Sequence, residues 1–296
     1  MAFIRLVTVF VFLLLSTFVF DVEAQTKKLY KGQTHRGDSK RMISLKNISK
    51  NELVSFFLTT GTATYFGDLC SGIHCAKFRP QIGVGVLLRT NYFGKRLDLR
   101  ADVRFFRLYS DDVYKGRNLN FRSSNWEFIA SGQFYLFPYE KMMRRRSFVN
   151  PYVVAGIGLM TFDPWGQEVN GKWAQLRPLE TEHVKYGHVA FVYTAGFGLK
   201  FRYTYRWSFM AEGNYRYTTT DYIDDVSSHN YPAANSWTNT QAAALSNKTG
   251  NPNPQGYRGD PKHKDGYFIF SVGIIYNFTK NNKPKFHNDK ALLRKT

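Results

Sequence analysis

The sequence has little cysteine, a shortage of acidic residues and, beyond its first twenty residues, no long apolar run. Cys70 and Cys75, with His74 between them, offer too few ligands for a cysteine–histidine metal site. Acidic residues number 22 against 41 lysines and arginines, so the formal net charge is +19. Mean hydropathy is −0.38 and no later stretch is long and apolar enough for a spanning helix, which excludes a bundle of membrane helices.

Fingerprints of several enzyme classes are also missing. The sequence contains no HExxH motif, no P-loop and no Rossmann glycine pattern. Asp224 and Asp225 offer two carboxylates for Ca²⁺, and two ligands do not make a site. We therefore expect no enzyme, no cofactor and no resident metal. The alternative is a lipid hydrolase or acyltransferase at a membrane rim, for which His183, His188 and His229 are the available bases.

Residues 1–24 are predicted to form a signal peptide. Arg5 provides a basic start, Leu6–Phe20 is an apolar segment, and Val22–Ala24 fits a small-residue cleavage site. The alternative is an N-terminal membrane anchor, for which the apolar run is short. Export disfavours nucleic acid as the target of the positive charge. It favours anionic lipid headgroups or an acidic protein partner.

Aromatic residues are abundant despite the low hydropathy, at 17% of the chain. They fall in segments that alternate with a period of two, as β-strands do. In 189–203 one face carries large apolar residues, and the other carries glycine, alanine, threonine, lysine and arginine. An apolar face suits lipid, and a small or charged face suits a narrow filled barrel.

Eight such segments predict an eight-stranded antiparallel transmembrane β-barrel over residues 53–278. The segments are 53–66, 78–89, 97–108, 126–137, 149–162, 189–203, 207–218 and 267–278. Their inward faces predict a charge network inside the barrel, formed by Arg89, Asp98, Arg100, Asp102, Arg104, Glu127, Lys200, Glu212 and Arg216. The alternative, a soluble β-sandwich or lipocalin-like barrel, would bury the aromatic stripes and present glycines to water. Buried charges at this density would fill the interior, so an open pore is disfavoured.

The connections alternate in length. Long ones are expected at 67–77, 109–125, 163–188 and 219–266, and short ones at 91–96, 138–148 and 204–206. Short periplasmic turns and long outer loops are the rule for outer-membrane barrels, so both termini are expected in the periplasm. The last strand ends in Tyr276–Phe278, which resembles the terminal aromatic signal of such barrels. We expect an outer-membrane location, in contact with its lipid.

Basic residues concentrate on the expected periplasmic side. They occupy an N-terminal arm, 25–52, a C-terminal tail, 279–296, and the turn containing Lys141, Arg144, Arg145 and Arg146. These residues are either solvated charges near lipid headgroups or a docking face for a periplasmic partner. Cys70 and Cys75 lie in an outer loop, where a disulfide, two free thiols or a metal ligand remain alternatives.

Several short motifs resemble a known family. Asn150–Gly158 reads NPYVVAGIG, and NGKW at 170–173 and LRPLETE at 176–182 follow it. Further motifs are YFGDL at 65–69, NLNFRS at 118–123, TDYIDDVS at 220–227 and KDGYF at 264–268. Their order and spacing are similar to the PorG-like outer-membrane barrels of Bacteroidetes, a domain-of-unknown-function family linked to type IX secretion. The resemblance covers about residues 53–278; the basic arms and the cysteine pair do not match the family pattern.

The resemblance implies a structural component of the type IX secretion system. It implies binding to the periplasmic ring built from a PorK-like lipoprotein and its PorN-like partner, with no catalytic residues. Three alternatives stay open. They are a general OmpA- or OmpW-like envelope barrel, an adhesin that uses the 219–266 loop, and the rim lipid enzyme.

Overall fold

The computed structural model describes residues 54–113, 116–139, 147–204, 206–233, 236–237, 239–251, 254 and 257–278. Several predictions lie outside the described residues: the signal peptide 1–24, the arm 25–52, the tail 279–296, and Lys141, Arg144, Arg145 and Arg146. Among the described residues, no helix combines the length and the apolar character needed to cross a membrane.

Eight long strands form the barrel wall. They are β1 (Val54–Phe66), β2 (Arg79–Arg89), β3 (Leu97–Asp111), β4 (Asn120–Tyr135), β5 (Val149–Thr161), β8 (Val189–Arg202), β9 (Trp207–Thr218) and β10 (Gly266–Asn277). Each pairs antiparallel with its sequence neighbour in the wall, and β10 pairs with β1 from Ser55↔Asn277 to Phe66↔Gly266. This last pairing closes the sheet and leaves the wall without an edge strand. The predicted eight-stranded antiparallel barrel is confirmed.

The two ends of the barrel differ. We call the end formed by 90–96, 136–148 and 203–206 the turn end, and the opposite end the loop end. At the loop end, β6 (Pro164–Gln167) and β7 (Trp173–Gln175) form a hairpin that adds to β4 through Arg122↔Trp165. A helix, α1 (Thr240–Ser246), is capped by the Asn239 side chain, which accepts from the Gln241 amide at 2.9 Å.

The predicted loop at 109–125 is wrong. β3 and β4 stay paired out to Asp111↔Asn120, so the connection covers only 112–119. The inward residues of this extension, Leu108 and Phe121, are fully buried and continue the strand alternation. The outward residues change from apolar to polar there. The apolar alternation on which the prediction rested therefore stops, although the strands continue.

The outward face of the wall is an apolar belt. Large apolar side chains point to the surroundings on every strand, with 50% exposure at Leu58, 54% at Val84 and 68% at Phe197. On β3 the belt runs from Leu97 to Phe105, and on β4 from Phe134 to Trp126. At about 3.4 Å per residue and a tilt of about 40°, nine residues span roughly 21 Å along the barrel axis. Such a band matches the hydrocarbon core of a bilayer and would be unfavourable in water.

The interior consists of two apolar clusters with charges between them. The cluster nearer the loop end includes Phe106, Phe121 and Tyr267. The cluster nearer the turn end consists of Phe57, Leu87, Tyr135, Tyr152, Val154, Met210 and Ile275. Inward glycines give the large side chains their space, because a Cβ at Gly83 would lie 2.7 Å from Cγ of Arg104. Close packing therefore fills the barrel along its length.

Candidate functional site

Four charged side chains form the centre of the interior. Asp102 accepts from Nε of Arg100 and Nε of Arg104, each at 2.7 Å. Glu212, on the far wall, accepts from Nη1 of Arg100 at 2.7 Å and lies 3.7 Å from Nη2 of Arg104. The Tyr152 hydroxyl also donates to Glu212 at 2.8 Å. Because β3 alternates strictly, Arg100, Asp102 and Arg104 point inward together and meet the strand opposite.

A second charged pair lies nearer the loop end. Arg216 of β9 contacts Glu127 of β4 at 3.2 Å, and the Tyr267 hydroxyl donates to the same carboxylate. Arg104 of the central group also contacts β10, since its Nη1 donates to the Ser271 hydroxyl at 3.0 Å. Glu127 and Arg216 are both nearly inaccessible to solvent. These contacts join strands that are not neighbours in the wall.

Three of the predicted network residues lie apart from this centre, at the turn end. Nε of Arg89 is 3.9 Å from Asp98, and its guanidinium lies 3.7 Å from the Tyr139 ring centroid. Lys200 is half-buried, with Nζ 5.3 Å from the centroid of the Tyr135 ring. The structure thus brings together six of the nine predicted residues in the interior and places the other three at the mouth.

The interior set is balanced in charge. It contains three cations and three anions: Arg100, Arg104, Arg216, Asp102, Glu127 and Glu212. Buried charges are tolerated only when each has a partner, because desolvating an unpaired ion costs several kcal/mol. Fork-shaped guanidinium groups suit this role since each can bind two carboxylates at once. The arrangement fills the barrel with paired charges and does not leave a polar channel.

The turn end holds a cavity of about 70 Å³ with a basic lining. Among the described residues that line it, the cations are Arg89, Lys95, Lys200 and Arg202, and the carboxylate is that of Asp98. Tyr135, Tyr139 and Asn150 complete much of the wall. Excess positive charge in a partly enclosed site favours an anionic group.

The loop end is covered by a structured cap, formed by the described residues of 219–265 with Thr181–Tyr186. Glu182 accepts from the amides of Ser227 at 3.1 Å and Ser228 at 2.9 Å, and from the buried Arg258 guanidinium. Asp225 accepts from Tyr186 at 2.5 Å and from Thr181. Sequence analysis missed Glu182 and Arg258 as structural residues; the LRPLETE motif contains Glu182, and no motif signalled Arg258.

Carboxyl groups are crowded beneath the cap. The Tyr65 hydroxyl lies 2.7 Å from Asp224 and 2.5 Å from Asp265. A hydroxyl has one proton, so one of these carboxyls must itself carry a proton to complete the second bond. Burial, followed by repulsion between the carboxylates, raises the pKa of Asp224 well above its usual range. Burial also raises the pKa of Asp68 to about 6 and that of Asp225 to about 6.

No metal-binding group emerges among these carboxylates. Within the part of the chain that the structure describes, no three His, Cys, Asp or Glu side chains are arranged to hold a metal ion. Cys70 and Cys75 are joined as a disulfide, with their Cα atoms 5.7 Å apart. Of the three alternatives left open for this pair, the structure contains the disulfide.

The three loop histidines do not meet. Nε2 of His183 lies 2.8 Å from the Ser236 hydroxyl, and its ring stacks on Trp237. Ser236 donates its proton to the Ala233 carbonyl at 2.6 Å, which directs that proton away from the histidine. His229 packs against Tyr257 instead, with ring centroids 3.6 Å apart and the two ring planes tilted by 35°.

The closed wall, the apolar belt and the paired interior charges define a transmembrane β-barrel of eight strands. No family model and no curated protein matches the chain. Solved structures that it resembles include Neisserial surface protein A, with 13% identity and a TM-score of 0.40 over 76% of this chain and 97% of that one. Another is a major outer membrane protein from Thermus thermophilus, with 12% identity and a TM-score of 0.39 over 76% and 99%.

A third is the outer membrane protein OprG from Pseudomonas aeruginosa, with 12% identity and a TM-score of 0.38 over 78% of this chain and 98% of that one. All three TM-scores are below 0.5, so the fold class rests on the strand pairings described above. The resemblance to PorG-like barrels stays a prediction.

Proposed function

We propose that this chain is an outer-membrane anchor that acts by binding a periplasmic protein at its turn end. In its specific form, the proposal makes it a component of the type IX secretion system that positions the PorK-like and PorN-like ring. The observation that carries the binding role is the filled interior. A barrel packed with six paired charges offers no route for solute, so its working surfaces are its two ends.

The basic turn end supports docking there. Among the described residues, the cavity there is lined by Arg89, Lys95, Lys200 and Arg202, and a basic lining suits an acidic group on a partner. The basic residues Arg144, Arg145 and Arg146 lie outside the described residues, in the sequence that connects β4 to β5. The alternation of short and long connections supports a periplasmic location for this end.

The test is co-purification after charge reversal. The triple variant Arg144→Glu, Arg145→Glu and Arg146→Glu should lose most ring protein from detergent pull-downs at moderate salt. A matched triple variant at the loop end, Lys172→Glu, Lys185→Glu and Lys262→Glu, should retain it. Gel mobility with and without heating shows that both variants fold. Equal recovery with both would contradict docking at the turn end.

A second candidate is a general envelope barrel that binds at its outer surface. The loop-end cap favours it, because the buried contact between Arg258 and Glu182 holds the outer connections together. Deletion of the gene separates the two candidates. Loss of secreted proteins would support the secretion role, and normal secretion with altered surface attachment would support the envelope role.

Chemistry at the rim is a further alternative, and the hydrogen bonds do not favour it. Ser236 lies beside His183, but its proton goes to a backbone carbonyl. Replacing His183, His188 and His229 with glutamine should leave the lipid profile of the membrane unchanged. An altered profile would instead support a lipid-modifying enzyme.

A further inference from the structure

A basic and aromatic surface lies on the outward face of the wall, directly beyond the apolar belt at the loop end. The belt ends there at Phe105 and Trp126, whose rings are 5.2 Å apart. Above this pair, the outward residues of β3 and β4 turn polar. We call the surface the outer stripe; it consists of Arg79, Arg107, Tyr109, Arg122, Trp165 and Trp173.

Two arginines of the outer stripe, Arg79 and Arg122, lie against aromatic rings. The Arg122 guanidinium lies 4.2 Å from the ring centroid of Trp173 and 5.9 Å from that of Trp165. Arg79 lies 4.4 Å above Tyr109, whose ring is 6.4 Å from Trp173. Stacking uses the faces of a guanidinium and leaves its N–H groups pointing outward in the plane.

The described residues supply the outer stripe with few carboxylates. Among the described residues, no carboxylate lies within ion-pair distance of Arg107 or Arg122. The nearby Asp111 is already engaged, since it accepts from Tyr109 at 2.5 Å and lies 3.8 Å from Lys77. The stripe therefore presents a net positive surface.

The outer stripe begins at the height of a phospholipid headgroup layer and extends beyond it. Arg107 follows Phe105 by two residues, and Tyr109, paired with Arg122, follows by four. At a tilt of about 40°, these steps place them about 5 Å and 10 Å beyond the belt. A phospholipid headgroup layer is about 5–8 Å thick on each side. Arg107 reaches that layer, and the stack around Arg122 suits a taller headgroup.

We propose that the outer stripe binds the phosphorylated sugar headgroup of a glycolipid in the outer leaflet. Arginine N–H groups bind phosphate oxygens in pairs, and indole and phenol faces cover the apolar faces of sugar rings. A sugar headgroup is tall enough to meet both Arg107 and the Arg122 stack. This inference rests on the part of the proposed function that directs the loop end outward, and it does not depend on any periplasmic partner.

The experiment measures lipid binding by the full chain in detergent, with hexa-acylated lipid A bisphosphate as the probe. The variant Arg107→Glu with Arg122→Glu should bind it at least about thirtyfold more weakly, since two basic residues at a charged surface contribute about 1 kcal/mol each. The variant Trp173→Ala should also lose affinity. The control Lys185→Glu with Lys262→Glu, two charge reversals at the same end, should bind as the native chain does.

Three further probes define the recognised group. Dephosphorylated lipid A should bind weakly, phosphatidylglycerol should compete poorly, and the deacylated headgroup should compete fully. Equal binding by the native chain and the Arg107/Arg122 variant would overturn the inference, as would equal binding of dephosphorylated lipid A. The readout uses no ring protein, so failure of turn-end docking leaves the result intact, and failure here leaves docking untouched.

Discussion

The Glu212 carboxylate contacts several charged and polar side chains in the interior. It accepts from Arg100 and Tyr152, lies close to Arg104, and also accepts from the Asn214 amide. Its neighbours come from β3, β5 and β9, so one carboxylate connects both sides of the barrel. Because the interior excludes water, each buried arginine needs a carboxylate partner to offset the free-energy cost of desolvating its charge.

Removal of this carboxylate should destabilise the barrel strongly. Glu212→Ala leaves Arg100 and Arg104 with Asp102 alone, and breaking a buried pair typically costs about 3–5 kcal/mol. Glu212→Gln should lose less, because its amide oxygen still accepts from Tyr152. Urea unfolding in lipid vesicles, followed by tryptophan fluorescence, measures the difference. The loop variant Glu168→Ala should unfold as the native protein does, and a native-like Glu212→Ala would refute the network's structural role.

At the scale of elements, the connection between β9 and β10 folds into the loop-end cap. Its carboxylates are buried among few cations: Asp221, Asp224 and Asp265 lie near one another and near Asp68. Burial raises the pKa of each of these groups. Burial also raises the pKa of Asp225 to about 6, although Arg258 and two hydroxyls stabilise its ionised form.

The cap should therefore weaken as pH rises. A carboxyl whose pKa is higher in the folded state stabilises that state at pH values below its ordinary pKa. This stabilisation is lost as pH rises through the folded value, which is about 6 for Asp68 and Asp225. Hydrogen exchange of 219–233 and 257–265, corrected for intrinsic rates, should show greater protection at pH 4.5 than at pH 7.5.

Matched variants separate the two groups. Asp68→Asn and Asp225→Asn should each flatten part of this pH dependence, because an amide does not titrate. Asp111→Asn, at the end of β3 and outside the cap, should leave it unchanged. Protection that increases with pH in the native chain would show that the ionised carboxylates stabilise the cap.

The second element to consider is the β3–β4 extension, which carries the proposed headgroup site. Its inward side continues the packed interior through Leu108 and Phe121, and its outward side carries the outer stripe. The hairpin β6–β7 supplies Trp165 and Trp173 to the same surface. The same pair of strands therefore packs the end of the barrel and carries the proposed headgroup site.

At the scale of the whole molecule, closure and filling act together. The β1–β10 pairing removes the sheet edges, and eight strands leave an interior that side chains can fill. The apolar belt outside requires an apolar surrounding, and the charges inside require partners of opposite sign. Only a bilayer around the wall satisfies the first, and only mutual pairing satisfies the second.

Such a molecule should not conduct ions. The native chain in planar bilayers should add no discrete current steps, because Arg100, Arg104 and Glu212 block the axis. The triple variant with serine at these positions removes both signs of charge and most of the volume, and should show small current steps if it folds. Steps from the native chain would contradict a filled interior and would reopen a transport function.

The sequence alone determined the wall of this protein. Strict alternation in segments such as 97–108 and 189–203 predicted eight strands, because lipid and interior demand opposite residues on the two faces. It also indicated which charges point inward, since the period of a strand fixes the face. The ends of β3 and β4 were not predictable in this way, because Arg107 and Arg122 lie beyond the lipid and break the apolar pattern.

Only the tertiary structure decided how the inward charges are divided and what the loops do. Glu212 meets Arg100 across 112 residues of sequence, and Arg258 meets Glu182 across 76, so local patterns carry no trace of either pair. The separation of Arg89, Asp98 and Lys200 at the turn end likewise depends on the stagger between strands. Alternation within a strand determines whether a side chain points inward or outward. Barrel closure determines which inward side chains lie at the same level along the barrel axis, and two charges pair only when they lie at the same level.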